Sequence, residues 1–328
     1  MKKKTAAITM AMVVAAIPAG AYAQDTANLT AEQLFADAMI YAIEAPQMTG
    51  TMSFFGEGNI KISGEGSPES SFGMAAGMDL EIKKTADPLK LQMTGNVDIG
   101  VLGQSINADM DMYAIESEDG KTIDTYMKMV SNGEESPWEH DSDDFEGIWE
   151  EMDVSGPDEF KEKMAEALEK AQLKTDWDIQ EQGDTCVMSG QFTYADILPI
   201  IEESEEDMTE EERQMAEDIL ECLKVNVNCT FAKDTHALLM ADINLDDSDM
   251  DTLGKTISDL IVQSMQESGA TGSAMNLAFE LGACGYSVEF NYDSAAEITV
   301  PEEALASARQ DEVSVEMPEN TETEADIQ

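Results

Sequence analysis

Positive charge is scarce in this chain of 328 residues: 18 lysines and arginines stand against 69 aspartates and glutamates, a net −51. A surface of that sign repels phosphate backbones and anionic lipid headgroups, so nucleic acid is excluded as a partner and bare membrane surfaces are disfavoured. Histidine is scarcer still, with only His140 and His236. The side chain that most often moves protons near neutral pH is therefore almost missing. No GxSxG or HExxH pattern occurs, and neither histidine stands beside a nucleophile motif. Both are expected at the surface, and the chain reads as non-enzymatic, with no cofactor. Acidic pairs are too common to single out a glycosidase-like couple, whose chemistry depends on a separation that sequence does not supply.

Cysteine is limited to Cys186, Cys222, Cys229 and Cys284, none in a CxxC pair. With two histidines this provides no zinc set, and no metal site is expected. In an exported chain the four are disulfide candidates with three full pairings open, and buried thiols are the alternative. The acidic run Asp242-x-Asn244-x-Asp246 starts like a calcium loop. Asp247 stands where glycine makes the turn, however, and Leu253 where a bidentate glutamate belongs. Asp246, Asp247, Ser248 and Asp249 are better read as ending a strand and capping a helix.

Long apolar runs are missing after the first two dozen residues. Lys2-Lys3-Lys4, the apolar stretch Ala6 to Ala19, and Ala21-Tyr22-Ala23 before Gln24 have the order of a cleavable signal peptide over residues 1–23. The expectation is secretion, with no lipid anchor, because Gln24 stands where an anchoring cysteine would be, and no membrane span. Cleavage removes three of the cations and none of the acids.

What the sequence does contain is alternation. Leu89 to Met93, Asn96 to Val101, Ile106 to Met112 and Thr122 to Met129 switch between apolar and polar with period two. Turns are expected at Leu102–Ser105 and Glu118–Gly120, as in an antiparallel meander with one wet face and one buried face. Asp98, Asp109, Asp111 and Asp124 then point outward, and Val97, Ile99, Ala108, Met110, Met112, Ile123 and Met127 inward. Earlier strands cover Met48 to Ile60, a glycine- and serine-rich turn spans residues 64–73, and the strand pattern resumes at Met78. After an acidic connection pinned by Trp138 and Trp149, strands recur at residues 177–179, 186–192, 225–231, 239–245, 277–281, 286–292 and 298–300.

Helices punctuate the strands. Thr30-Ala31-Glu32-Gln33 is a capping box opening a helix to about Ala45, with Leu34, Phe35, Ala38, Met39, Ala42 and Ile43 on one face. Others are expected from Pro157 to Leu173, from Thr193 to Ile201, after the Thr209/Glu212 box, and from Met250 to Gln266. The fold class is α+β, a strongly curved antiparallel sheet with helices on its concave side. One domain is expected over residues 24–304, and an acidic disordered tail over residues 305–328.

Of the 23 methionines, many lie in strands. Met93, Met110, Met112, Met127 and Met129 are candidate ligand-lining residues, since thioethers are pliable and polarizable, though they also fill ordinary cores. The layout of Leu34 to Ile43 feeding into Met48-Thr49-Gly50-Thr51-Met52, the meander to Met129, and the closing Glu297 to Ala304 resembles the LolA/LppX-like exported carriers of lipids and lipoproteins. It is nearest to secreted or lipoprotein relatives from Firmicutes whose roles are unassigned. The resemblance covers residues 30–304. It implies an incomplete barrel around helices with an apolar hollow that holds acyl chains in some relatives, and it carries no functional residue across. The expected role is binding of a lipid, a lipopeptide or another apolar small molecule. The alternative is an envelope interaction module with a filled core. The oligomeric state is left open.

Overall fold

The computed structural model describes residues 30–64, 70–101, 103–118, 120–144, 176–193, 217–267, 275–294 and 296–307, with isolated positions 159, 163 and 214. Outside the described residues lie the expected signal peptide, the tail beyond residue 307, Trp149, the helix after Thr193, and most of the helices from Pro157 and Thr209; the last turn of the latter, residues 217–220, is helical. Glu159 and Lys163 form an i,i+4 ion pair at 3.7 Å.

Twelve strands form one large antiparallel sheet. They are β1 (Gln47–Gly64), β2 (Ser70–Ala86), β3 (Leu89–Val101), β4 (Gln104–Glu116), β5 (Thr122–Ser131), β6 (Glu134–Glu135), β7 (Glu139–Asp144), β8 (Asp178–Gln182), β9 (Thr185–Thr193), β10 (Lys224–Ala232), β11 (Leu238–Asn244) and β12 (Met275–Asn291). Their order is β6-β5-β4-β3-β2-β1-β12-β11-β10-β9-β8, with β7 also on β5. The two ends do not join, so the sheet is open and not a closed barrel. The long meander β1 to β5 follows from its alternation. β12 returns from the far end of the chain to pair with β1 over most of its length and closes the gap between the two halves.

The pleat sorts the side chains. Register places Met129, Met110, Gly95, Leu80, Met52, Val288, Ala241, Cys229, Met188 and Ile179 on one rung across ten strands, all on the inner face. Helix α1 (Ala31–Glu44) lies across this face. Both halves of the capping box form, with Gln33 N donating to Thr30 Oγ1 at 3.3 Å and Thr30 N donating to Gln33 Oε1 at 3.2 Å. Leu34 and Ala38 are buried against Met188, Cys229 and Phe231, and Phe35 stacks edge-on with Trp177 and Phe231. Met39, expected on the buried stripe, is 38% exposed. Buried Ala31, Leu34, Ala38 and Ala45 set a stripe that turns it away from the sheet.

The C-terminus of α1 reaches the other half of the sheet. Lys84 on β2 is 1% exposed and donates to the carbonyls of Ala42 and Ile43, both at 2.7 Å. These are among the last carbonyls of a helix, which have no partner within it, and a cation there also meets the negative end of the helix dipole. Burial pushes Lys84 down from 10.5 to about 8.

Helix α2 (Met250–Glu267) opens with Asp249, which accepts from Thr252 N at 3.0 Å and Thr252 Oγ1 at 2.8 Å. Those bonds hold its carboxyl below the usual range. Its capping role is the one expected of the acidic run. Gly254 allows α2 to sit directly on the β12 backbone, where a Cβ would lie 2.2 Å from the Phe279 carbonyl oxygen. Ser258 clips the two together, donating to Gly254 O at 2.6 Å and accepting from Phe279 N at 2.9 Å.

Several expectations are corrected. The outer face is not wholly wet: Tyr113 and Tyr126 are buried there beneath Ile298, Ala304 and Trp138. Trp138 pins the acidic connection, as expected, against Tyr113 and under the Lys128 ammonium. That connection also holds β7, whose six residues lack apolar alternation and are recruited by the backbone of β5. Strand β2 begins at Ser70, inside the expected turn, and β12 is one strand with a bulge where two were expected. Residues 298–300 are not a strand, and a helical turn at 302–307 carries the chain past the expected boundary because Ala304 is fully buried. Neither histidine is a bare surface group. His140, on β7, lies 3.3 Å from Asp124, and His236 is buried with Nδ1 2.7 Å from Asp37 on α1.

Candidate apolar hollow on the inner face

The inner rungs differ in side-chain size, and that difference makes a site. The rung carrying Val97, Met78, Phe54 and Tyr286 is bulky. The next, toward the sheet margin, carries Ile106, Ile99, Ala76, Gly56 and Cys284. Small residues in the middle of this rung leave a hollow of about 340 Å³, lined on its other side by Leu245 just after β11 and by Met250 and Leu253 at the start of α2. That volume falls at the small end of ligand sites, roughly 300–1,000 Å³. A Cβ on Gly56 would meet only Cys284 Sγ and Phe54 Cζ at 3.7 Å, so the space beside it is open. Opposite Glu57, β12 carries one extra residue, since Gly56 pairs with Cys284 and Gly58 with Leu281, and the Glu57 side chain lies against Gly282 at the rim.

The apolar surface continues beyond the hollow. Ile99, in its wall, faces Ile106 across the ladder, and the two are 42% and 52% exposed. Scattered single apolar residues on a surface need no explanation, but an exposed pair running on from an apolar recess is a candidate contact. A second depression of about 450 Å³ lies on the outer face between Thr49, Thr51, Glu81, Lys83 and Glu289. Leu239 and Met240 also line it, so its wall is of mixed polarity.

The five methionines fall on the inner face together. Met93, Met112 and Met127 form one rung, and Met110 pairs with Met129 on the adjacent one. Met93 and Met112 are buried in the core, Met110 and Met127 are half-buried, and Met129 is 42% exposed. None of the five lines the hollow, whose methionines are Met74 and Met250.

The four cysteines are free thiols. Cys186, Cys222 and Cys229 are buried, and burial pushes Cys229 up to about 12. Cys284 alone opens onto the hollow. Among the described residues no three His, Cys, Asp or Glu side chains group to hold a metal ion. Asp242 and Asn244 are instead tied into a cross-strand amide ladder with Asn226. No described helix is long and apolar enough to cross a membrane.

Sequence reasoning missed the hollow because the start of β2 read as part of a turn over residues 64–73. The signal was present in Phe72, Met74, Ala76, Met78 and Leu80, an unbroken alternation with one small residue in it.

No family profile and no curated protein matches this chain. Among solved structures it is similar to the crystal structure of a beta-barrel-like protein of the domain of unknown function DUF1849 from Brucella abortus. That pair shares 9% identity over 73% of this chain and 96% of the other, with a TM-score of 0.22.

Proposed function

We propose that this chain is an exported, non-enzymatic binding protein that takes an apolar ligand, lipid or lipopeptide, in the hollow beneath α2, in the manner of the LolA/LppX-like carriers. The observation that carries this reading is the rung Ala76, Gly56 and Cys284, whose small side chains keep an apolar recess open on the inner face. The exposed pair Ile99 and Ile106 extends it toward solvent. Export rests on the lysine-rich, apolar and small-residue order of positions 1–23.

The test uses a neutral solvatochromic dye, Nile red, with the intact protein and with Ala76→Phe, which fills the recess. Uptake with a blue-shifted emission that the variant loses, at unchanged circular dichroism, is the expected result. No uptake by either protein, or equal uptake by both, would sink the reading.

Burial of Met93 and Met112 favours the second reading, an interaction module with a solid core. Native mass spectrometry of protein from its own host separates the two, since a carrier retains bound mass and a solid module does not.

A further inference from the structure

We infer that the hollow selects a single-tailed amphiphile with a cationic head group, and that Glu57 reads the head. The inference rests on the carrier reading and names its ligand class.

Among the residues lining the recess, Glu57 alone carries a formal charge at neutral pH. Its position is built. It lines the recess beside Gly282, in the stretch of β12 that carries one extra residue opposite it, and because Gly282 has no side chain the glutamate stem lies where a Cβ would come within 2.9 Å of its Cγ and 3.3 Å of its Oε1. No side-chain hydrogen bond or ion pair engages the carboxylate among the described residues. The next cation along β1, Lys61, is held in an ion pair with Glu280. An anionic head placed at this rim would meet an uncompensated carboxylate inside the field of a chain with net charge −51. A cationic head would meet a partner with free acceptor sites, while the tail enters a recess whose remaining wall is apolar or thiol.

The experiment is isothermal titration of the full chain, below micellar concentrations, with three twelve-carbon amphiphiles: dodecyltrimethylammonium, dodecyl sulfate and neutral 1-O-dodecylglycerol. The expected order is cationic tighter than neutral and neutral tighter than anionic, with roughly tenfold between the extremes. Glu57→Gln should weaken the cationic ligand about threefold to tenfold and leave the neutral one unchanged. Glu139→Gln, on distant β7, removes the same unit of charge from the overall field and should change neither. Equal affinity for the three heads, or equal losses from the two glutamine variants, would overturn the role of Glu57 and leave the hollow as a neutral apolar site. Failure of all three tails to bind would overturn the carrier reading along with it.

Discussion

The ammonium of Lys84 donates to the carbonyl of Ile43 at 2.7 Å, so a strand in one half of the sheet closes the end of the helix that covers the other half. The ammonium is held at a cost, because burial lowers it from 10.5 to about 8. Between those values the folded chain has released the proton while the unfolded chain keeps it. The unfolded state then binds more protons, and the stability contributed by this group rises with pH. Below pH 8 both states are charged and the full penalty applies.

The expected outcome is a stability gap between the natural chain and Lys84→Met that moves in favour of the natural chain from pH 8 to 10.5, by on the order of 3 kcal/mol. The gap isolates Lys84 from Cys229, whose raised value acts with the opposite sign above pH 9. Urea unfolding of both proteins at pH 7.5, 9 and 10 measures it, and a gap that does not change with pH would refute the assignment.

Glycine substitutions should divide by contact. A Cβ at Gly95 would lie 2.0 Å from the Asp79 carbonyl oxygen, and one at Gly254 would lie 2.2 Å from that of Phe279. Backbone must move in both cases, and Gly95→Ala and Gly254→Ala are each expected to cost about 1–3 kcal/mol. Gly56→Ala meets only ordinary contacts at 3.7 Å and should stay within about 0.5–1 kcal/mol of the natural chain, near the size of the strand-glycine effect itself. Thermal and urea unfolding rank the three.

Thiol reactivity should report on the hollow. Cys284 opens onto it, while Cys186, Cys222 and Cys229 are buried; burial raises all four thiols, so access decides which reacts. A small maleimide applied at pH 7 is expected to label Cys284 first, and an occupied recess should slow that reaction severalfold. Peptide mapping with and without the neutral dodecylglycerol reads both effects, and faster labelling of Cys229 than of Cys284 would contradict the packing.

The parts of this fold legible in the sequence are those with a local cause. The capping box at Thr30, the alternation of β3 to β5 and the acidic cap at Asp249 each follow from neighbours in the chain. What stayed hidden depends on distant pairing. His236 looks like a turn residue until α1 brings Asp37 to it, Lys84 looks like a solvent-facing strand lysine until α1 ends above it, and β7 has no pattern of its own without β5. Met110, Met112 and Met127 were legible as inward-facing because register is periodic. Their distance from the recess was unreadable because the recess is made by residues that are small, and smallness in a strand looks like a break.

The unjoined margins of the sheet are guarded by their composition. β7 offers Glu139, Asp141, Asp143 and Asp144 along one outermost strand, and β8 offers Asp178 and Glu181 along the other. Two molecules approaching margin to margin would bring like charges together before any backbone bond could form between them. Acidification through the carboxylate range weakens that barrier, so copies of this chain are expected to pair margin to margin as pH falls, and sedimentation velocity at pH 7 and pH 4 reads the outcome.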